Sequence, residues 1–261
     1  MSWSATRILQ ASADWVSPWV PPDSVHVDLG WLEFSLANRT ATVKRADAGG
    51  STGAELVRRV LAEFRSRGVT EARWPVEPKT EPEDVGRVLQ DLGATVYQTV
   101  DIRAYSLSGM LPDEPPAGAT ALPVRSLADV ASFARVSALA WGYPEPSDAD
   151  IEQAFARLTA GSFVGYWTGT PAGTGGYTLA GDVARFWGAA VLPAFRGRGV
   201  YRALVRARMV DATSRGATLA LVHAIDQTSS PILQRLGFQV YGQQQVLALR
   251  LDAADLAADR R

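Results

Sequence analysis

The stretch Val191-Leu192-Pro193-Ala194-Phe195-Arg196-Gly197-Arg198-Gly199-Val200-Tyr201 constrains this chain more than any other. An apolar strand runs into a proline, then into a basic, glycine-rich turn, then into an amphipathic helix. That order builds an anion cradle. Glycines let the backbone come close to a ligand. The first N–H groups of a new helix lack intrahelical partners and sit at the positive end of its dipole. Arg196 and Arg198 add charge at the same spot. Residues 196–201 are therefore expected to hold a diphosphate.

Bulk properties narrow what such a cradle can serve. The net charge of −1 argues against a general polyanion binder, so phosphate binding has to be local and nucleic acid is not an expected partner. The absence of cysteine excludes disulfides, thiolate zinc sites and a cysteine nucleophile, and two histidines, His26 and His223, make a multi-histidine metal site implausible. No metal is expected. Pro18, Pro21 and Pro22 break up the only region where a signal peptide could lie. No apolar run approaches the ~20 residues of a membrane span. The expected setting is cytoplasmic, without a membrane partner, for a monomer or homodimer.

A linker is visible over Ser108–Pro123, where Gly109, Pro112, Pro115, Pro116, Gly118 and Pro123 preclude a helix or a central strand. Domains are expected at 1–108 and 124–261, joined by 109–123. In the second half, Ser126 with Asp129 and Ser147 with Asp150 each open a helix as a capping box. The second of these helices is expected to close at Gly161. Strands follow at Phe163–Trp167, Thr174–Leu179 and Val183–Leu192. Then come a helix from Val200 to Arg215, a strand at Thr218–Ile225, and a short helix at Pro231 that stops at Gly237. One long strand or a strand pair ends the fold before Asp252. The first half closes in the same order: a helix to Gly68, a strand at Glu71–Val76, a helix to Gly93, and a strand to Leu107.

The two endings read as copies. Leu92-Gly93-Ala94-Thr95-Val96-Tyr97 aligns without gaps on Leu236-Gly237-Phe238-Gln239-Val240-Tyr241, 144 residues on. Ser66-Arg67-Gly68 aligns on Ser214-Arg215-Gly216 at an offset of 148. Chance similarity of helix–turn–strand units is the competing explanation; the matching order of elements favours duplication.

The strand, Arg196-x-x-Gly199-x-Tyr201 turn and helix, followed by Leu236-Gly237-Phe238, resemble the pyrophosphate motif of the GCN5-related N-acetyltransferase (GNAT) family over about Ser126–Leu251, and more faintly over the first half. The resemblance implies an α/β (α+β) fold of two GNAT-like domains. Each would have a mixed, mostly antiparallel sheet flanked by helices, with a splayed parallel strand pair at the acyl-CoA site. It also implies acetyl-CoA as cosubstrate, with its diphosphate on Arg196, Gly197, Arg198, Gly199, Val200 and Tyr201. The pantetheine would lie along Ala189, Ala190 and Val191, with an N–H near Ala190 or Val191 as oxyanion donor. The implied reaction is direct attack by an amine, small-molecule or peptide, in a ternary complex. The first half, with Ala48-Gly49-Gly50-Ser51-Thr52-Gly53-Ala54 in place of the arginine turn, is expected to be a degenerate copy without the acyl-CoA motif.

Departures from the family pattern bear on proton handling. Tyr201 stands where the family prefers a small residue, and its ring is expected to point away from the phosphates. Leu233 stands where the family often carries a tyrosine acid, and Asp226 where it often carries an asparagine. Candidates for catalytic work are His223, whose ordinary pKa of ~6.5 suits proton removal, Asp226, and Glu145 in the loop between the first two helices of the second half. The bland alternatives are a packed strand histidine and a solvated acidic helix start. The tryptophans Trp3, Trp15, Trp19 and Trp31 are expected to pack rather than to bind a ligand. Two readings follow: an N-acetyltransferase, and a non-catalytic acyl-CoA-binding or regulatory module that lost the acid. Gly199→Glu is expected to abolish acyl-CoA binding with the fold intact.

Overall fold

In the computed structural model, residues 3–17 and 23–251 are described. In chain order the helices are α1 (Ala5–Ala13), α2 (Gly53–Ser66), α3 (Val85–Asp91), α4 (Leu127–Trp141), α5 (Asp148–Ala156), α6 (Val200–Ser214) and α7 (Ser229–Arg235). The strands are β1 (Val25–Asp28), β2 (Leu32–Ala37), β3 (Thr40–Ala46), β4 (Glu71–Val76), β5 (Thr95–Ser106), β6 (Ala119–Pro123), β7 (Ser162–Trp167), β8 (Thr170–Ala180), β9 (Val183–Val191), β10 (Leu219–Ile225) and β11 (Gln239–Arg250).

These elements form two compact units that do not follow chain order. One holds residues 4–102 with 224–231 and 240–251; the other holds residue 3 with 103–223 and 232–239. The expected division at 109–123 is therefore crossed by residue 3 and by residues 103–108, 224–231 and 240–251. Residues 103–108, expected in the first domain, belong to the second unit, and residues 240–251, expected in the second domain, belong to the first.

The first unit is a sheet in the order β1-β2-β3-β4-β11, antiparallel except for a short parallel match of Thr40–Thr42 with Glu71–Arg73. Helix α2 opens on a capping box between Thr52 and Glu55. It buries Leu56, Val57, Val60, Leu61 and Phe64 against Leu32, Phe34 and Trp74. Phe34 and Phe64 meet edge to face at 5.0 Å. Leu247, Leu249 and Leu251 of the last strand region complete this core, with β11 registered so that Gln245 faces Val76 and Arg250 faces Glu71.

The second unit runs β10-β9-β8-β7-β6, with β6 to β9 antiparallel and β9 parallel to β10. Both expected capping boxes are present, Ser126 with Asp129 and Ser147 with Asp150. β6 begins inside the stretch expected to be a linker; as a strand at the end of its sheet it tolerates Pro123. Helix α5 stops at Ala156, earlier than expected. Gly161 instead takes φ +112° and lets the backbone pass so close to the Tyr177 carbonyl that a Cβ would sit 2.4 Å from its oxygen.

The repeat extends to element boundaries. β5 and β11 are each 12 residues long, and α3 and α7 each 7, all displaced by the same 144 residues as the sequence match. Of the tryptophans, Trp3 donates from Nε1 to Thr218 Oγ1 at 3.0 Å, and Trp31 lies under the Arg59 guanidinium at 3.6 Å. Trp15 is partly buried, and Trp19 lies outside the described residues.

Candidate functional site

Strands β9 and β10 are paired over only four positions, Val183 to Phe186 on one and Leu219 to Val222 on the other. Both strands continue, β9 to Val191 and β10 to Ile225, so they separate beyond Phe186 and Val222. A bulge helps to drive the separation. Against β8, Gly176 faces Trp187 and Thr174 faces Ala190, which leaves one extra residue on β9. Gly188 in that gap takes φ +62°, a left-handed conformation that favours glycine. At the end of β9, Leu192 N–H donates to the Ala172 carbonyl on the β8 side. Successive residues of a strand aim their backbone groups at opposite edges, so Ala190 faces β8 and Val191 presents its N–H and carbonyl to the open edge. Arg196 folds back there and donates from Nε to the Val191 carbonyl at 3.3 Å.

The cradle follows directly. Pro193–Phe195 make one 3₁₀ turn, and Gly197 and Gly199 take φ +75° and +83°. Gly199 caps α6 with no side-chain hydrogen bond, and the first helical bond runs from Ala203 N–H to the Gly199 carbonyl. The N–H groups of Val200, Tyr201 and Arg202 precede that bond and are left to an anion. Arg198 sits with its guanidinium carbon 5.5 Å from the Trp167 ring centre. One wall was not expected: an ideal Cβ on Gly199 would lie 2.4 Å from Pro116 Cγ. The segment around Pro116 is tied to α6, because Arg206 donates to the Pro112 carbonyl at 2.9 Å and pairs with the Glu114 carboxylate.

Tyr201 lies on the face of α6 that carries Arg208, seven residues on. Burial pushes its phenol pKa up, partly offset by the Arg208 charge. Arg208 is 1% exposed, and burial pulls its guanidinium down to about 10. It donates to the Leu204 and Gly176 carbonyls at 3.0 and 3.2 Å and lies 4.4 Å from the Phe186 ring centre. A Cβ on Gly175 would sit 3.2 Å from its Cζ, so that glycine makes room for the cation. Gly176 does the same on the other face for the Trp187 indole, 2.4 Å from an ideal Cβ. The run Gly173-Thr174-Gly175-Gly176 inside a strand was the available sequence signal for this packing, since glycine in a strand often marks close approach.

Each expected catalytic residue has surroundings of its own. His223 follows Val222, the last residue paired with β9. Desolvation, and then the Arg185 charge, push its imidazole down to about 4 rather than the ~6.5 assumed from sequence. It is neutral at physiological pH and a weak base. Asp226 belongs to the other compact unit, where its Oδ1 accepts from the Gln227 N–H at 2.8 Å. Glu145, 79% exposed, faces Arg135 at 3.5 Å, and Asp148 faces the same arginine at 3.6 Å. Leu233 is 1% exposed and belongs to the core.

The equivalent turn of the first unit is closed by its own acids. Thr52 caps α2 with its side chain, Glu55 accepts from the Thr52 N–H, and Asp84 Oδ1 accepts from the Gly53 N–H at 3.1 Å. Carboxylates occupy the N-terminus where a phosphate would otherwise sit.

The parallel strands of this sheet part directly before a helix whose N-cap, Gly199, offers no side-chain hydrogen bond. Residues 128–238 match the model of the acetyltransferase (GNAT) family. Solved structures share the fold over most of the chain. A GCN5-related N-acetyltransferase from Kribbella flavida is 19% identical with a TM-score of 0.65, covering 98% of this chain and 99% of its own. One from Sphaerobacter thermophilus is 17% identical with a TM-score of 0.63, covering 86% and 82%. A tandem GNAT protein from the clavulanic acid biosynthesis pathway is 16% identical with a TM-score of 0.62, covering 89% and 85%. No curated protein matches the sequence. No helix among the described residues is long and apolar enough to cross a membrane, and no group of acids or histidines among them could hold a metal ion.

Proposed function

We propose that the second unit is an acetyl-CoA-dependent N-acetyltransferase with one active site, working in the cytoplasm on an amine acceptor. The observation that carries this is the loss of β9–β10 pairing after Phe186 and Val222, directly before a glycine-capped, arginine-flanked helix start. The diphosphate would rest on the N–H groups of residues 197–201. The pantetheine would lie along the open edge of Ala189–Val191. The Val191 N–H is the donor that suits a thioester carbonyl, a contribution typically worth ~3–4 kcal/mol in acyl transfer. The amine nitrogen bonds to the carbonyl carbon, the carbon–sulfur bond breaks, and CoA leaves as the thiolate while the amine loses its proton to solvent. A base of pKa about 4 is too weak to take that proton from an ammonium ion, so the acceptor would enter as the free amine.

The competing reading is an acyl-CoA-binding module without turnover, and Leu233 favours it: a buried leucine holds the place of the family's usual acid. The deciding experiment combines calorimetry with acetyl-CoA and CoA release over an amine panel. Binding with turnover supports the enzyme. Binding with no turnover across the panel supports the module. Absence of acetyl-CoA binding overturns both.

A further inference from the structure

The stretch between β5 and β6 reads as a linker in the sequence, but in the second unit it is a strap bound along α6. It leaves β5 at Leu107, whose N–H donates to the Thr218 carbonyl at 2.9 Å. The Tyr105 hydroxyl, donating to the Met110 carbonyl, holds its first bend. Residues 110–116 form no regular structure. Pro112, Pro115 and Pro116 favour an extended course and remove three N–H groups that would otherwise need partners. The strap rejoins the sheet at Ala119, the first residue of β6.

Three contacts set its register on α6. Arg206 donates to the Pro112 carbonyl at 2.9 Å and pairs with the Glu114 carboxylate. Arg202 reaches the Glu114 carbonyl at 3.5 Å. Pro116 lies where any side chain on Gly199 would overlap it. Gly199, Arg202 and Arg206 stand at i, i+3 and i+7, so they share one face of the helix. The lengths agree: four residues of extended proline-rich chain span ~12 Å, and seven residues of α-helix ~10.5 Å. The strap therefore runs antiparallel to α6 and reaches its N-cap. Just beyond, the Gly118 carbonyl accepts from the Thr168 N–H at 2.7 Å. A Cβ on Gly118 would sit 3.3 Å from the Trp167 indole, the ring that Arg198 lies over. The backbone turn of the cradle and one of its arginines both rest on this segment.

Gly199 caps α6 at φ +83° without a side-chain hydrogen bond. A glycine with no such bond has wide conformational freedom, so the strap supplies the restraint that the cap does not. We infer that Arg206 is a positioning residue for acyl-CoA. By holding residues 112–116 on α6 it keeps Pro116 against Gly199, and so fixes the direction of the Val200, Tyr201 and Arg202 N–H groups before the diphosphate arrives. The identity of the ligand rests on the acetyltransferase reading; the restraint rests on the strap contacts alone. Glu114 is 76% exposed, so water reaches the pair and a single substitution is enough to release the strap.

Calorimetry with acetyl-CoA, run well below each variant's melting transition, compares the parent with Arg206→Met, Pro116→Ala and Glu114→Gln. Arg206→Met and Pro116→Ala should each bind about tenfold more weakly, through lost preorganisation. Arg206→Lys, which keeps a cation and donors for the strap, should recover most of that loss. Pro116→Ala leaves Arg206 and Glu114 in place and carries the test should Arg206→Met fail to fold. Glu114→Gln separates positioning from direct contact. A released strap binds acetyl-CoA more weakly, whereas an Arg206 that itself takes a phosphate would be freed and bind more tightly. A second arm contains no CoA: hydrogen exchange at Ala203, the first bonded amide of α6, should be faster in Arg206→Met than in the parent. Unchanged affinity in Arg206→Met and Pro116→Ala, tighter binding by Glu114→Gln, or unchanged exchange at Ala203 overturns the inference. A parent that does not bind acetyl-CoA fails the acetyltransferase reading instead, and the exchange arm then decides whether the strap restrains the turn.

Discussion

Pro116 lies against Gly199 so closely that any side chain at 199 would overlap it, with 2.4 Å between an ideal Cβ and Pro116 Cγ. Gly199 also holds φ +83° at the N-cap of α6. The cradle is therefore coupled to a segment that Arg206 anchors through the Pro112 carbonyl and the Glu114 carboxylate.

That contact changes how the cradle can be tested. Gly199→Glu, expected from sequence to leave the fold intact, should destabilise the second unit by ~1–3 kcal/mol through overlap and backbone strain. It therefore confounds binding with folding. Arg198→Glu keeps the backbone and reverses the charge. It should weaken acetyl-CoA by about tenfold or more with the melting temperature nearly unchanged. Unchanged affinity in calorimetry would remove Arg198 from the cradle.

Gly176→Ala tests the face opposite Arg208. The new methyl would sit 2.4 Å from Trp187 Cη2, so the indole must shift or the β8–β9 pair must open, at a cost of ~1–3 kcal/mol. Urea unfolding should show that loss, and tryptophan emission should move as the Trp187 environment changes. A variant as stable as the parent with the same emission would mean that the indole does not lie over Gly176.

His223 gives a pH signature with a definite sign. Its imidazole ordinarily titrates near 6.5 and in the folded chain near about 4. Between those values the unfolded chain holds a proton that the folded chain does not. Its contribution to stability is thus complete above pH 6.5, is lost as the pH falls toward 4, and amounts to something on the order of 3 kcal/mol. His223→Gln should flatten urea-unfolding stability between pH 7 and pH 4.5 relative to the parent. The same slope in both proteins would show that the histidine is not shielded. Arg185→Met should raise the titration point by relieving repulsion.

Local grammar made much of this legible in the sequence. Ser126 with Asp129 and Ser147 with Asp150 specify helix starts within four residues each, and the Arg196–Tyr201 turn announces itself through glycines and charge. The rest depends on partners distant in the chain. Nothing near His223 in sequence reports that Arg185, on the neighbouring strand, lowers its pKa. Arg208 reads as an ordinary polar position on α6 until Gly175 and Gly176 are seen to receive it. Pro116 reads as linker until it meets Gly199. The repeat was legible as a 144-residue offset, but which unit each copy of the last strand joins was not, because β5 and β11 are alike in length and pattern.

That ambiguity has a testable consequence. The first unit takes Leu247, Leu249 and Leu251 into its core and pairs β4 with β11 from Glu71–Arg250 to Val76–Gln245. The second unit takes residues 103–108 from the other side of the linker, and there Arg103 donates to the Phe238 carbonyl at 3.0 Å while Leu107 N–H donates to the Thr218 carbonyl at 2.9 Å. Fragments 1–108 and 109–261, cut so that β6 and Pro116 stay with the second unit, should each lack chain their unit requires. Each is expected to give no cooperative thermal transition alone, because an apolar face left uncovered and a row of unpaired backbone groups both oppose folding. Mixed during refolding, they should recover a single transition. Cooperative unfolding of isolated 109–261, with acetyl-CoA affinity equal to that of the full chain, would show that residues 103–108 are dispensable to the second unit.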